Sequence, residues 1–279
     1  MSEQNRTLQL ICLNVWQGKQ YRDLCGFMNR QQEKTDIFCL QEVSSNPFEE
    51  QVEGSTARVD LFEKLTVLLS DFQPLWAPAQ QGWVTGDQPN PIVRQEGTQG
   101  LAMFVKKDIA IQSEQSIFVH GRRNSLDPDD LTTMPRNIQI AELHIGDKRV
   151  FVCNFHGLWF NSDKGDNEAR RSQSFRLHNA LERITRMMWS SVGNTSVVLC
   201  GDFNVLPDTK SICSLEERGL ENLNKRYGIQ NTRSEVHYKK PIRHADYMFT
   251  GNAKTKEFKV LPEHEVSDHL PLLVQFSHQ

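Results

Sequence analysis

The stretch Val197-Val198-Leu199-Cys200-Gly201-Asp202-Phe203-Asn204 reads as a short buried strand that stops at a glycine, a carboxylate and an amide. Four apolar residues without a polar break, bounded by turn formers, suit a strand covered on both faces. Polar groups at the carboxyl end of such a strand stand where α/β sheets meet their ligands. The pattern recurs along the chain. Asn14 follows Leu8–Leu13, Glu42 follows Ile37–Gln41, and His156 follows Val150–Phe155. Asp268 and His269 instead precede the run Leu270–Phe276. If that last strand runs opposite to its neighbours, its start lies on the same rim.

Taken singly, each residue has an ordinary reading. Asn14 suits a turn, Gln41-Glu42 a solvated loop, and Asp202-Phe203-Asn204 an Asx turn ahead of Pro207. His156 could be a hydrogen-bonded core histidine. Asp246, between Ala245 and Tyr247 in a strand-like segment, is harder to explain that way, because a buried carboxylate needs a histidine or a cation as partner. Their joint occurrence at strand ends is what points to a site.

Further apolar runs at Leu101–Val105, Ile138–Leu143 and Tyr247–Phe249 read as strands. Helical spacing marks Glu168–Trp189, with Leu177, Ala180, Leu181, Ile184 and Met188 on one stripe, and also Tyr21–Gln32, Arg58–Ser70 and Thr209–Arg218. Helices alternate with strands early, then strand follows strand from Leu101 to Phe155. That order predicts a mixed sheet, or two packed sheets with helices outside, in one domain spanning residues 1–279. Gln80–Gln99, His120–Arg136 and Gly157–Asn167 read as long loops.

The 279 residues are 38% hydrophobic and 24% charged, which excludes a disordered chain. A net charge of −3 gives no general basic field for nucleic acid, so phosphate must be met by local arginines and lysines or by a bound cation. No apolar run approaches the roughly 18 residues of a membrane span, and none resembles a secretion signal. A cytoplasmic protein acting as a monomer is expected. The six cysteines form no C-x-x-C pair, and Cys12, Cys39, Cys153 and Cys200 sit inside apolar runs, as buried thiols do.

The segments Leu13-Asn14, Leu40-Gln41-Glu42-Val43, Gly201-Asp202-Phe203-Asn204, Ala245-Asp246-Tyr247 and Ser267-Asp268-His269 occur in the order and approximate spacing of one family. The chain resembles the endonuclease/exonuclease/phosphatase superfamily from Leu8 to Phe276. The resemblance implies an α/β four-layer sandwich, two packed mixed sheets flanked by helices. It also implies a Mg²⁺-dependent phosphodiesterase, with Mn²⁺ able to substitute. Hard oxygen ligands suit Mg²⁺, and by the resemblance Glu42 is its main ligand with Asn14 and Asp268 near. By the same resemblance, Asp202 would orient or deprotonate the attacking water, with Asn204 supporting it or the phosphate. His269 resembles the family histidine that contacts the scissile phosphate, with Asp246 on its other ring nitrogen. Such a pairing is expected to raise the histidine pKa and favour imidazolium. His156 resembles the second histidine of DNase-like and sphingomyelinase-like members.

Arg170 and Arg171 stand near the start of the long helix, where the dipole disfavours cations, and are candidates to bind substrate. Lys239-Lys240-Pro241-Ile242-Arg243 reads as a solvated loop. His264-Glu265-Val266-Ser267-Asp268-His269 superficially resembles a zinc-protease helix. Its histidines are five apart, and Pro262 and Pro271 bracket it, so that reading fails.

Asn154-Phe155-His156-Gly157 departs from the abasic-endonuclease pattern, and the arginine and tryptophan motifs of the inositol phosphatases are not visible. A nucleic-acid or nucleotide phosphodiester, DNA or RNA, remains. The alternatives are a phospholipid or sphingomyelin phosphodiesterase, which Trp83 or Trp159-Phe160 would serve as membrane-docking residues, and a non-catalytic binding module.

Overall fold

The computed structural model describes residues 6–48, 51, 55–85, 92–159, 164–189 and 194–278. In chain order the elements are β1 (Leu8–Asn14), α1 (Tyr21–Gln31), β2 (Ile37–Ser45), α2 (Leu61–Leu68), β3 (Phe72–Thr85), β4 (Ile92–Lys106), β5 (Ala110–His120), β6 (Arg136–Ile145), β7 (Lys148–His156), α3 (Glu168–Trp189), β8 (Thr195–Asp202), α4 (Lys210–Glu216), β9 (Glu221–Asn222), α5 (Leu223–Arg226), β10 (Asp246–Gly251), β11 (Ala253–Val260) and β12 (Leu272–His278). They build two six-stranded sheets, ordered β11-β12-β1-β2-β4-β3 and β5-β6-β7-β8-β10-β9. In each, one central pair is parallel, β1 with β2 and β7 with β8, and the other pairings are antiparallel. The expected α/β sandwich is the fold.

Alternation along the strands sorts side chains into layers. Leu10, Cys12, Cys39, Val152, Val198, Cys200 and Met248 fill the space between the sheets. Ile11, Leu13, Phe38 and Leu40 point the other way, against Leu24 and Phe27 of α1 and Leu61 and Leu65 of α2. Phe151, Cys153, Val197 and Leu199 meet Leu177, Leu181 and Ile184 of α3 and Ile212 of α4. The strands are apolar on both faces because both faces are covered.

Two expectations need correcting. Gln80–Thr85 and Ile92–Gln99 are not loop: β3 and β4 continue as a ladder through Gln80↔Gln99, Trp83↔Arg94 and Thr85↔Ile92, and residues 86–91 lie outside the described residues. A main-chain ladder does not require apolar side chains, and here the polar sequence hid it. The last strand begins at Leu272, after Pro271, rather than at Leu270. The segment 121–135 is irregular apart from a 3₁₀ turn at Leu131–Thr133. Within Gly157–Asn167, Phe160 lies outside the described residues.

Candidate active site

Asn14, His156, Asp202 and Asp246 each continue the inward-facing register of their strands, two residues beyond Cys12, Asn154, Cys200 and before Met248 respectively. The chemistry-bearing residues therefore cap the layer between the sheets, where it opens at one end. Because β12 runs antiparallel to β1, Asp268 and His269 enter from the same end.

Glu42 reaches this end by a bulge. The β2–β4 register shifts between Leu40 and Val43, and Glu42 adopts φ 58. A glutamate in the left-handed region is a local strain that surrounding contacts must hold. Leu40 and Val43 both face the helices, so Gln41 and Glu42 share the inner side. Asn154 supplies the support from the opposite sheet. Its amide donates to the carbonyls of Leu40 and Ala102 at 3.1 Å each, and its oxygen accepts from Gln41 at 2.6 Å. Asn154 thus ties the edge of the bulge, where the β2–β4 register shifts, to the opposite sheet.

Gly201 precedes Asp202 with φ +149, and a Cβ there would sit 1.8 Å from the carbonyl oxygen of Phe155. Only glycine lets β8 lie this close to β7. Beyond it, Asn204 holds φ 55 while its N–H donates to Asp202 Oδ1 at 2.9 Å. The predicted Asx turn is present, and it lies inside the site.

Asn14 joins the two sheets. Its Nδ2 donates to Glu42 Oε1 at 3.0 Å and to Asp202 Oδ2 at 3.1 Å, while its Oδ1 accepts from Trp16 N–H. It presents hydrogens to the carboxylates and turns its oxygen to the backbone. His269 Nδ1 lies 2.8 and 2.9 Å from the two oxygens of Asp246, and its Nε2 is 3.5 Å from Asp202 Oδ2. His156 Nε2 is 3.8 Å from both Glu42 Oε1 and Asp202 Oδ2. The positions read from the strand ends thus converge in space.

The expected imidazolium is corrected. Burial pushes His269 down to about 4, and Arg233 adds to this, outweighing the nearby carboxylates. Burial also lifts Asp246 to about 6, against Arg233. Both shifts oppose a charged ring. His156 is driven well below its ordinary value by burial, then by Arg136, His269 and Arg233.

Arg170 is also corrected. It is 1% exposed, and it donates to the carbonyls of Gly165 at 2.6 Å and Asn204 at 3.1 Å. It braces the Asn204 turn from behind instead of facing substrate. Asn167 caps its helix by accepting from Arg170 N–H, so the cation has carbonyl partners in an otherwise unfavourable first turn. Arg171 is exposed, about 100° further round the helix. Lys239 and Lys240 are exposed, as expected of that loop.

Three cations at the site escaped the sequence reading. Arg233 donates to Asp268 Oδ2 at 2.7 Å and stacks on Tyr238 at 4.6 Å. Lys164 donates to the carbonyl of His244 at 3.1 Å, and burial lowers its pKa to about 8. Arg136 donates to His156 Nδ1 at 3.1 Å. No motif marked them, because their roles depend on partners 20 to 80 residues away in sequence.

The residues present fit a hard divalent cation. Glu42 and Asp202 bring carboxylate oxygens together beside His156, all within 4.8 Å of one another. Asp268 Oδ1 is buried without a hydrogen-bond partner. Burial and the carboxylates of Asp268 and Asp202 raise the Glu42 pKa, a cost that a bound cation removes.

The sequence matches the Endonuclease/Exonuclease/phosphatase family over residues 12–269, and the chain belongs to that family, one of phosphate-ester hydrolases. No curated protein matches it by sequence. Solved structures share its fold at low identity. A Bacteroides thetaiotaomicron mannosyl-6-phosphatase is 16% identical at TM-score 0.66, covering 96% of this chain and 99% of that one. The human Nocturnin catalytic domain with bound sulfate is 16% identical at TM-score 0.66, covering 99% and 98%. D. rerio TDP2 complexed with a single-strand DNA product is 13% identical at TM-score 0.62, covering 97% and 98%.

Proposed function

We propose that the chain is a Mg²⁺-dependent phosphodiesterase acting on a nucleic-acid or nucleotide ester, with Mn²⁺ as a substitute. The observation that carries this reading is the convergence of Glu42, Asp202 and Asp268 with two neutral histidines at one end of the inter-sheet layer. A phosphodiester needs positive charge near its oxygens and a base near the attacking water. Glu42 and Asp268 would hold the cation, which when bound supplies Lewis-acid stabilisation of the phosphoryl charge. Asp202 Oδ2 lies 3.5 Å from His269 Nε2, and Asp202 is the residue that would take a proton from the attacking water. Arg233 and Lys164 supply the local cations that a chain of net charge −3 needs to meet phosphate. Likeness to a TDP2 bound to single-strand DNA product and to a mannosyl-6-phosphatase supports the class, while the nucleotide preference is our own reading.

Hydrolysis with Mg²⁺ of single- and double-stranded DNA, RNA, dinucleotides, sugar phosphates and sphingomyelin tests it, with Asp202→Ala as the blank. Nucleic-acid or nucleotide turnover lost in that variant is expected. Turnover of sugar phosphates or sphingomyelin alone would replace the substrate, and no turnover of any ester would end the enzyme reading.

A further inference from the structure

His156 and His269 flank Asp202, and each has its Nδ1 committed to a group of opposite charge. Asp246 can only accept or share a proton at His269 Nδ1, so that ring, when neutral, is bare at Nε2. Arg136 can only donate. Its 3.1 Å contact therefore requires a lone pair on His156 Nδ1, which puts the ring proton on Nε2. We infer that Arg136 is a positioning residue that holds His156 as the neutral tautomer whose Nε2–H points between Glu42 and Asp202. The inference rests on the phosphodiesterase reading only for its kinetic consequence.

Three features of the surroundings support it. Nε2 lies 3.8 Å from a carboxylate oxygen of Glu42 and 3.8 Å from one of Asp202, an acceptor-rich setting that welcomes an N–H. Asn204 approaches Nε2 at 3.4 Å through its Nδ2, while its Oδ1 is buried without a partner. Turning that amide by half a rotation gives Oδ1 the missing hydrogen from His156. Arg136 Nε is itself buried without a partner, so the guanidinium is held beside His156 rather than spent on an ion pair there. The cleft between the β3–β4 ladder and the start of β6 is lined by Gln99, Arg136, His156 and Glu42.

The two rings thus present unlike faces to the reacting centre. His156 gives a hydrogen bond to an oxygen that gains charge, and His269 receives one. With its donor fixed in the neutral form, the site stabilises charge without first binding a proton from solvent.

Nitrogen NMR of ¹⁵N-histidine-labelled protein tests this, with His156 assigned through the missing signal of His156→Gln. Near neutral pH, His156 is expected to be protonated at Nε2 and bare at Nδ1, and His269 the reverse. Arg136→Met, which cannot donate, should mix the His156 tautomers and lower kcat about tenfold or more at little cost in KM. Arg136→Lys should restore most of both. A wild-type His156 protonated at Nδ1, or charged, overturns the inference. So does an Arg136→Met variant with unchanged tautomer and kcat, or a Lys variant no better than Met. If Arg136→Met does not fold, the wild-type spectrum decides alone. It also decides if no ester is hydrolysed, when the functional reading has failed but the tautomer assignment has not.

Discussion

Both carboxylate oxygens of Asp246 lie within 2.9 Å of His269 Nδ1, so this one side chain sets how the ring faces Asp202. Asp246 is held in turn: its N–H and that of Ala245 donate to Thr232 Oγ1. Asp246→Asn keeps the volume and can still accept from Nδ1–H, but an inverted amide would offer a donor and reverse the tautomer. Turnover should fall about 10²-fold or more, with the melting temperature nearly unchanged. Steady-state kinetics and thermal unfolding on one preparation check it; equal losses in both would make the pair structural.

Acid should destabilise the protein through its other buried histidines. His178 accepts from or donates to Ser214 Oγ at 3.0 Å, and burial, then Arg218, hold its pKa near 4 against an ordinary 6.5. The unfolded chain therefore binds more protons between those values, and stability falls as pH drops from about 6.5 to about 4. His269 and Asp246 do not add to this slope across about pH 4–6. The native pair keeps one proton there, and the unfolded pair keeps one on its histidine. Urea midpoints at about pH 4.5, 5.5 and 6.5 should show the fall, and His178→Asn should flatten it. An unchanged slope in the variant would remove His178 from the account.

Asn154 reaches across the sandwich to the Glu42 bulge, so Asn154→Leu removes a hydrogen bond from each of the Leu40 and Ala102 carbonyls and from Gln41 Nε2. A loss of about 2–4 kcal/mol in unfolding free energy is expected. Activity per folded molecule should fall with it, because the strained φ of Glu42 loses its support. Denaturant titration with active-site-normalised rates measures both, and unimpaired activity would show the bulge to be self-supporting.

Arg170→Met should behave as a core lesion. It strands the carbonyls of Gly165 and Asn204 and costs about 2–4 kcal/mol. Arg171→Ala, one residue on and exposed, should leave stability within about 0.5 kcal/mol. A large rise in KM for Arg170→Met at unchanged stability would return Arg170 to substrate binding.

Much of this architecture was legible because most strands are covered on both faces and so appear as unbroken apolar runs. β5 was not: Ala110–His120 lies at a sheet edge with mostly exposed residues, and nothing in its composition separates it from a loop. β11 failed to show for the same reason, with Lys254, Lys256 and Lys259 in an edge strand. At the site, residues that end strands could be found by position alone. Arg136, Asn154 and Arg233 could not, since each matters through a partner at least twenty residues away in sequence. Arg170 misled because a cation at a helix start looks idle until the carbonyls beside it are known.

The reacting groups come from both sheets, Asn14 and Glu42 from one and His156, Asp202 and Asp246 from the other, with Cys12, Cys39 and Cys200 in the layer below. The gap across which they must cooperate is therefore gauged by the bulk of side chains that never see substrate. Exchanging Cys12 or Cys200 for a larger or smaller apolar residue would act like a shim under one jaw of a vice. It would alter the spacing between Glu42 and Asp202 while leaving every functional group in place. Tuning of catalysis in this protein thus has an address in its interior as well as on its rim.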